Sequence, residues 1–213
     1  DAATRGCDRF RRRHDERVKR TRRVNRHSRT RHKSRSVVDH DFSEMPAALL
    51  MSSTRGILRA FASAMTNPSD ALNRLNQMLV EDLPPEKFVT MIFGILDPVA
   101  RTFTYSNAGH PWPVFSNGHT EFLKDGSGLP LGVTDYKYTD QVVEMKPGTR
   151  LLFYSDGIGE AENRLREEYG STRLLDFARD SGISPDSLLD DVSAFTGSGT
   201  FADDATVVLI ESR

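Results

Sequence analysis

Leu151-Leu152-Phe153-Tyr154-Ser155-Asp156-Gly157-Ile158-Gly159-Glu160 decides how this chain is read. Four apolar residues, the pattern of a buried strand, run into Ser155 and a carboxylate. A glycine follows at once and a second two residues later. A strand-end carboxylate sits at the rim of a sheet, partly desolvated and rigidly aimed. Asp-Gly is also a common turn signal, so an ordinary turn stands beside a ligand as a reading.

Two other places repeat the pattern. Asp39 follows Ser36-Val37-Val38, and Asp203-Asp204 precede Ala205-Thr206-Val207-Val208-Leu209-Ile210. Carboxylates brought together repel unless a cation neutralises them. Oxygen donors without a cysteine cluster or a histidine pair suit Mg²⁺ or Mn²⁺ better than zinc or copper. Taken singly, each aspartate has a plain alternative as a solvated strand edge or a helix cap.

The surrounding pattern is α+β, with helices covering sheet faces. Residues 44–65 carry Leu49, Leu50, Ile57, Leu58, Phe61 and Met65 at helical spacing. A second helix is expected after Asn67 as cap and Pro68, with Leu72, Leu75, Leu79 and Leu83 as its apolar face. Phe88–Asp97 is nearly all apolar and suits a buried central strand. Residues 101–109 alternate as a strand, and Asn117-Gly118 marks a hairpin tip. Two strands flank Pro147-Gly148. Helices return near residues 171–180 and after the Ser184-Pro185 cap, and a strand closes the chain.

The 213 residues suffice for one full domain with a core. Net charge is −1, which conceals a division. Residues 1–36 hold 15 Lys/Arg against 4 acids, while the remainder holds 14 against 26. Residues 1–36 therefore read as a basic, disordered leader with too little apolar surface to order, and residues 37–213 as the folded domain. The leader is a solvated tail, with two further readings: a tether to nucleic acid or another anionic surface, and the product of a disrupted reading frame. Cys7 alone excludes an intrachain disulfide framework and a cysteine-rich zinc site. No apolar run approaches the roughly 18 residues of a membrane span, so a soluble cytoplasmic protein is expected.

Taken in order, Met45–Phe61, Phe88–Pro98, Phe103–Phe115 with its Asn107-Ala108-Gly109-His110-Pro111, Pro130–Val133, Gly148–Asn163 and Phe201–Ile210 resemble a known family. It is the stage II sporulation protein E-like branch of the metal-dependent (PPM, or type 2C) protein serine/threonine phosphatases. The resemblance spans about residues 45–211. It implies two antiparallel sheets packed face to face with helices outside, and a centre of two Mn²⁺ or Mg²⁺ ions. A metal-activated water would then hydrolyse phosphoserine or phosphothreonine, with no side chain as nucleophile. By motif, Asp156 and Asp203 match metal ligands and Asp39 stands where a third belongs. Gly157, Asp204 and His110 are implied as supporting or loop positions. For His110 a turn element is the favoured reading over a general acid or base. The implied substrate is a phosphoprotein, an anti-sigma-factor antagonist in a bacterial signalling pathway.

The sequence departs from the family before Met45. Phe42 and Glu44 replace glycines after Asp39, and residues 1–36 hold no counterpart of the family's first strands. At least two strands are expected to be missing, which leaves an uncovered sheet edge. A truncated or degenerate domain that binds a regulatory partner without catalysis is therefore the alternative to an enzyme.

Overall fold

The computed structural model describes residues 47–62, 65–84, 86–197, 201 and 203–212. The basic leader and Asp39 lie outside the described residues. The described chain forms two compact units, residues 47–112 with 122–145 and residues 113–121 with 146–212. Two sheets with helices give the α+β class expected.

In the first unit, helices α1 (Ala47–Ala62) and α2 (Pro68–Asp82) accompany strands β1 (Met91–Asp97), β2 (Thr102–Ala108), β5 (Ser127–Gly128) and β6 (Gln141–Glu144). β1 and β2 pair antiparallel without a break, from Met91 opposite Ala108 to Asp97 opposite Thr102. Their turn is closed by Asp97, whose Oδ1 accepts from the amides of Val99 (2.8 Å) and Ala100 (2.9 Å). β6 pairs antiparallel with the start of β2, and β5 parallel with its end.

Leu72, Leu75 and Leu79 of α2 are buried and pack with Ala108, Leu131 and Tyr138. Leu50 and Ile57 of α1 and Met91 and Phe93 of β1 lie against the same cluster. The opposite face of β1 lacks a side chain at Gly94, and the Phe103 ring fills the space. A Cβ at Gly94 would fall 2.2 Å from that ring.

Three features of this unit differ from the sequence expectation. Asn67 occupies the cap position of α2 but its side chain makes no cap bond. Asp140 takes the role from 71 residues away, accepting from the Ser69 amide (2.7 Å) and hydroxyl (2.8 Å). Asn76, in the middle of the apolar face, is fully buried. Its carboxamide donates to the Thr134 carbonyl and accepts from the Gly132 amide, both at 2.9 Å, so the helix itself pairs the loop's backbone. β1 is not central among the described residues. It pairs with β2 alone, and every residue from Met91 to Leu96 is only half-buried.

The second unit carries β4 (Thr120–Phe122), β3 (Val114–Ser116), β7 (Arg150–Tyr154) and β8 (Val207–Glu211) in that spatial order, with short helix α3 (Asp156–Gly159), α4 (Gly170–Arg179) and α5 (Pro185–Thr196). The Asn117-Gly118 tip forms as expected, with Gly118 at φ 75°. The strands flanking Pro147-Gly148 part company here, β6 to one sheet and β7 to the other. α5 begins with a reciprocal cap: Ser184 Oγ accepts from the Ser187 amide (3.0 Å), and Ser187 Oγ from the Ser184 amide (2.8 Å). Leu151, Leu152 and Leu209 from the strands and Leu188 and Val192 from α5 are buried.

Replacing Asn76 by Ala strands the buried Gly132 N–H and frees the part-buried Thr134 C=O, and is expected to destabilise the chain by about 1–3 kcal/mol in denaturant unfolding. A loss under about 0.5 kcal/mol would show that water replaces the carboxamide freely.

Burial raises Tyr154 to about 12. Burial, reinforced by Asp125 for Tyr105 and by Tyr136 for Tyr138, raises those two to about 12 as well. Burial and a hydrogen bond to Asp191 raise Tyr169. The unfolded chain ionises its tyrosines near 10.0, while the folded chain resists. Stability is therefore expected to be full below pH 10 and to fall from there through about 12. Denaturant midpoints across that range check this, and a flat profile would contradict it.

Candidate functional site

The β7–β8 pairing runs to the end of both strands, with Tyr154 opposite Val207. One residue on, Ser155 continues it. Its amide donates to the Thr206 carbonyl (3.0 Å), and its hydroxyl accepts from the Thr206 amide (2.9 Å) and donates to the Asp204 carbonyl (2.9 Å). A single serine thus joins the strand ends that carry Asp156 and Asp203-Asp204.

Beyond Ser155 the chain turns directly into α3. Asp156 is its first residue, and Oδ1 of Asp156 accepts from the Gly157 amide (2.9 Å). Fully buried Ile158 anchors the turn below. Gly157 is needed for closeness of backbones. A Cβ there would lie 2.7 Å from the Asp204 carbonyl oxygen and 3.2 Å from its carbon. The space beside this glycine is taken by the Asp203-Asp204 backbone, which settles against the helix start.

The Asp156 and Asp203 carboxylates are both exposed, on neighbouring strand ends. Asp203 Oδ1 also accepts from the Asp204 amide at 2.7 Å. Asp204 is exposed, and its carbonyl is the group that Ser155 and Gly157 meet. Two oxygen donors on one rigid rim suit a hard divalent cation, though only as part of a set. Among the described residues, no group of three or more His, Cys, Asp or Glu stands close enough to hold a metal ion. Asp39 is outside them.

His110 belongs to the other compact unit, in a turn at the end of β2. Buried Asn107 builds this turn: its Nδ2 donates to the His110 carbonyl (2.9 Å) and its Oδ1 accepts from the His110 amide (2.8 Å). Gly109 adopts φ +68°, and Pro130 lies 2.7 Å from where its Cβ would be. Asn107 and Gly109 thus specify this turn, the first by pairing the His110 backbone and the second by its positive φ. Trp112 is partly exposed and holds the neighbouring loop, donating from Nε1 to Ser127 Oγ at 2.7 Å.

Sequence reasoning missed Ser155 and Asn107. The hydroxyl partners of Ser155 lie about 50 residues downstream, beyond the reach of local pattern. Its place directly before Asp-Gly was the available signal.

Ser155→Ala is expected to destabilise the chain by about 1–3 kcal/mol by unpairing the Thr206 amide and the Asp204 carbonyl. Gly157→Ala must push the Asp204 backbone away, and should lower the unfolding midpoint further than Gly159→Ala, where the nearest atom would be 3.8 Å away. Equal midpoints for the two glycine variants would remove the close-approach argument.

The family model described as stage II sporulation protein E (SpoIIE) matches residues 37–213. The phosphoserine phosphatase RsbU of Bacillus subtilis (strain 168) is 30% identical over 139 residues, covering 62% of this chain and 41% of that protein. Protein IcfG of Synechocystis sp. is 33% identical over 93 residues, 42% of this chain and 14% of the relative. The chain therefore spans less than half of either relative. Among solved structures, the RsbU and RsbW domains of Rv1364c from Mycobacterium tuberculosis superpose with a TM-score of 0.64 at 28% identity, covering 79% of this chain and 48% of that one. The SiaA-PP2C domain of Pseudomonas aeruginosa shares the fold, with a TM-score of 0.65 at 21% identity over 78% of this chain and 70% of that one.

Proposed function

The chain belongs to the stage II sporulation protein E family, and on that footing we propose that it is a metal-dependent protein serine/threonine phosphatase. The observation that carries this reading is the rim itself. Asp156 and Asp203 stand exposed on paired strand ends, joined through Ser155 and brought close by Gly157. Asp156 and Asp203 would hold Mn²⁺ or Mg²⁺, two ions, with Asp39 as the third carboxylate. Bound there, the ions supply a water of lowered pKa and offset charge on the phosphate oxygens.

The protein's own share of the chemistry is placement. Ser155 fixes the spacing of the two strand ends, and backbone contact at Gly157 keeps Asp203-Asp204 from drifting away from Asp156. Gly157 N–H occupies one oxygen of Asp156 and leaves the other for a cation. Asp204 serves through its backbone. His110 serves as a turn element. No side-chain nucleophile is assigned.

The substrate we assign is a phosphoprotein, an anti-sigma-factor antagonist, in a cytoplasmic signalling pathway of a bacterium. A relative named as a phosphoserine phosphatase supports the chemistry. Among the described residues no helix is long and apolar enough to cross a membrane. The second reading is an interaction domain of the same fold without catalysis. Phe42 and Glu44 in place of glycines favour it.

The test is Mn²⁺-dependent phosphate release from an aryl phosphate and from a phosphoserine peptide. Asp156→Asn and Asp203→Asn should each lower turnover by at least about a hundredfold, the upper range seen for groups that only support a ligand. Folded wild-type chain that releases no phosphate with Mn²⁺ or Mg²⁺ would overturn the enzyme reading and leave the interaction domain.

A further inference from the structure

Directly after α3 the chain forms a short hairpin rooted on two buried residues. The Tyr169 amide donates to the Ala161 carbonyl (2.8 Å), and Glu162 and Glu168 bridge above them. Asn163 builds the far end. Its Oδ1 accepts from the amides of Leu165 (2.8 Å) and Glu167 (3.1 Å), its Nδ2 donates to Glu167 Oε2 (2.8 Å), and its own amide donates to the Glu167 carbonyl (2.9 Å). Arg164 ties the hairpin to a second place, donating to the Gly197 carbonyl (3.3 Å) at the end of α5, shortly before Asp203 in the chain. The hairpin thus adjoins both segments that bear the rim. It follows the α3 turn of Asp156, and it touches the chain that leads to Asp203.

The tip carries more than a turn requires. Leu165 is 78% exposed. Single exposed leucines are ordinary, but among the described residues of this unit every other Leu, Ile, Val, Met, Phe and Tyr is buried or half-buried. Arg166 stands at φ 65°, in the left-handed region, where glycine is unstrained and an arginine costs backbone energy. Strain of this kind gathers at ligand-binding places. The Arg166 side chain secures nothing buried. Its ion pair with Glu162 (2.7 Å) is exposed, so another anion can replace Glu162 at little cost. The hairpin's glutamates, Glu160, Glu162, Glu167 and Glu168, lie to either side of the tip, and Arg164-Leu165-Arg166 itself holds no acid.

On the reading of the rim as a phosphoprotein site, on which this rests, we propose that Arg164-Leu165-Arg166 recognises the polypeptide flanking the phosphorylated residue. Leu165 takes an apolar side chain of the substrate, and Arg166 exchanges Glu162 for a substrate carboxylate. Arg164 holds the tip in place through the end of α5. The occupant is a phosphoprotein segment with apolar and acidic residues beside its phosphoserine or phosphothreonine. A tip already fixed by Asn163 loses little freedom on binding.

The test is fluorescence anisotropy with labelled peptides that carry a non-hydrolysable phosphonate analogue of phosphoserine, in the presence of Mn²⁺. One peptide has leucine and glutamate on both sides of the phosphonate, the other serine and glycine. The 213-residue chain should bind the first about tenfold more tightly, the scale of burying one leucine. Leu165→Ser and Arg166→Gly should each weaken that preference, and the two together should abolish it. Arg166→Gly should not lower the unfolding midpoint, because glycine accepts the same φ. A wild-type chain that binds both peptides equally, or neither, overturns the proposal. So does a preference unchanged in either folded single variant. Phosphate release from an aryl phosphate, which has no flanking residues, reads the rim separately. No release there overturns the phosphatase reading, while the peptide preference still upholds the tip.

Discussion

The second unit depends on one strand pair carried one residue past its regular end. β7 and β8 pair through Tyr154 and Val207, and Ser155 extends the ladder by substituting its hydroxyl for a backbone group. Three hydrogen bonds of this kind contribute only about 1 kcal/mol each. Their importance is geometric. They bring the segment containing Asp203-Asp204 so near to α3 that only glycine fits at position 157. Everything the rim can do follows from that distance. The α3 turn can begin at Asp156 because its first free amide finds the Asp156 carboxylate, and because Ile158 is buried beneath it.

The first unit solves a different problem with similar means. Its long connection from Phe122 to Asp140 has little regular structure, so its backbone groups must be paired by other elements. α2 provides much of this. Asn73 accepts from the Tyr138 amide, Asn76 takes a donor and an acceptor of the loop, and Ser69 reaches Asp140. Tyr105 and Tyr138 donate their hydroxyls to loop carbonyls. Buried polar side chains of this kind define one arrangement of the loop where leucines would permit several. The loop in turn presses Pro130 against Gly109 and holds the His110 turn.

Much of this was legible in the sequence. The period-2 and helical patterns, Pro68, Ser184-Pro185 and Asn117-Gly118 express local preferences, and local preferences survive folding. What escaped reading was set by long-range pairing. Asn67 sits at a helix cap yet yields the capping bonds to Asp140. Asn76 looks like a flaw in an apolar face until the loop it pairs is known. The apolar run at 88–97 reads as a buried strand because both its faces are apolar, yet Met91–Leu96 are only half-buried. At the site, the aspartates were visible as strand ends. The reason for Gly157 was not, because its neighbour in space is 47 residues away.

The rim's electrostatics bear on what a cation does here. Buried carboxylates pay a desolvation penalty that a bound ion must offset, and domains built that way unfold without metal. Asp156 and Asp203 are exposed, and each accepts from the amide of the residue that follows it. Their repulsion is screened by water, and their positions are set by Ser155, Gly157 and Ile158 rather than by a ligand. The positions of these two strand ends are thus set by the chain's own contacts. On the proposed reading, a cation would meet Asp156 and Asp203 on a rim that does not need the ion to order it.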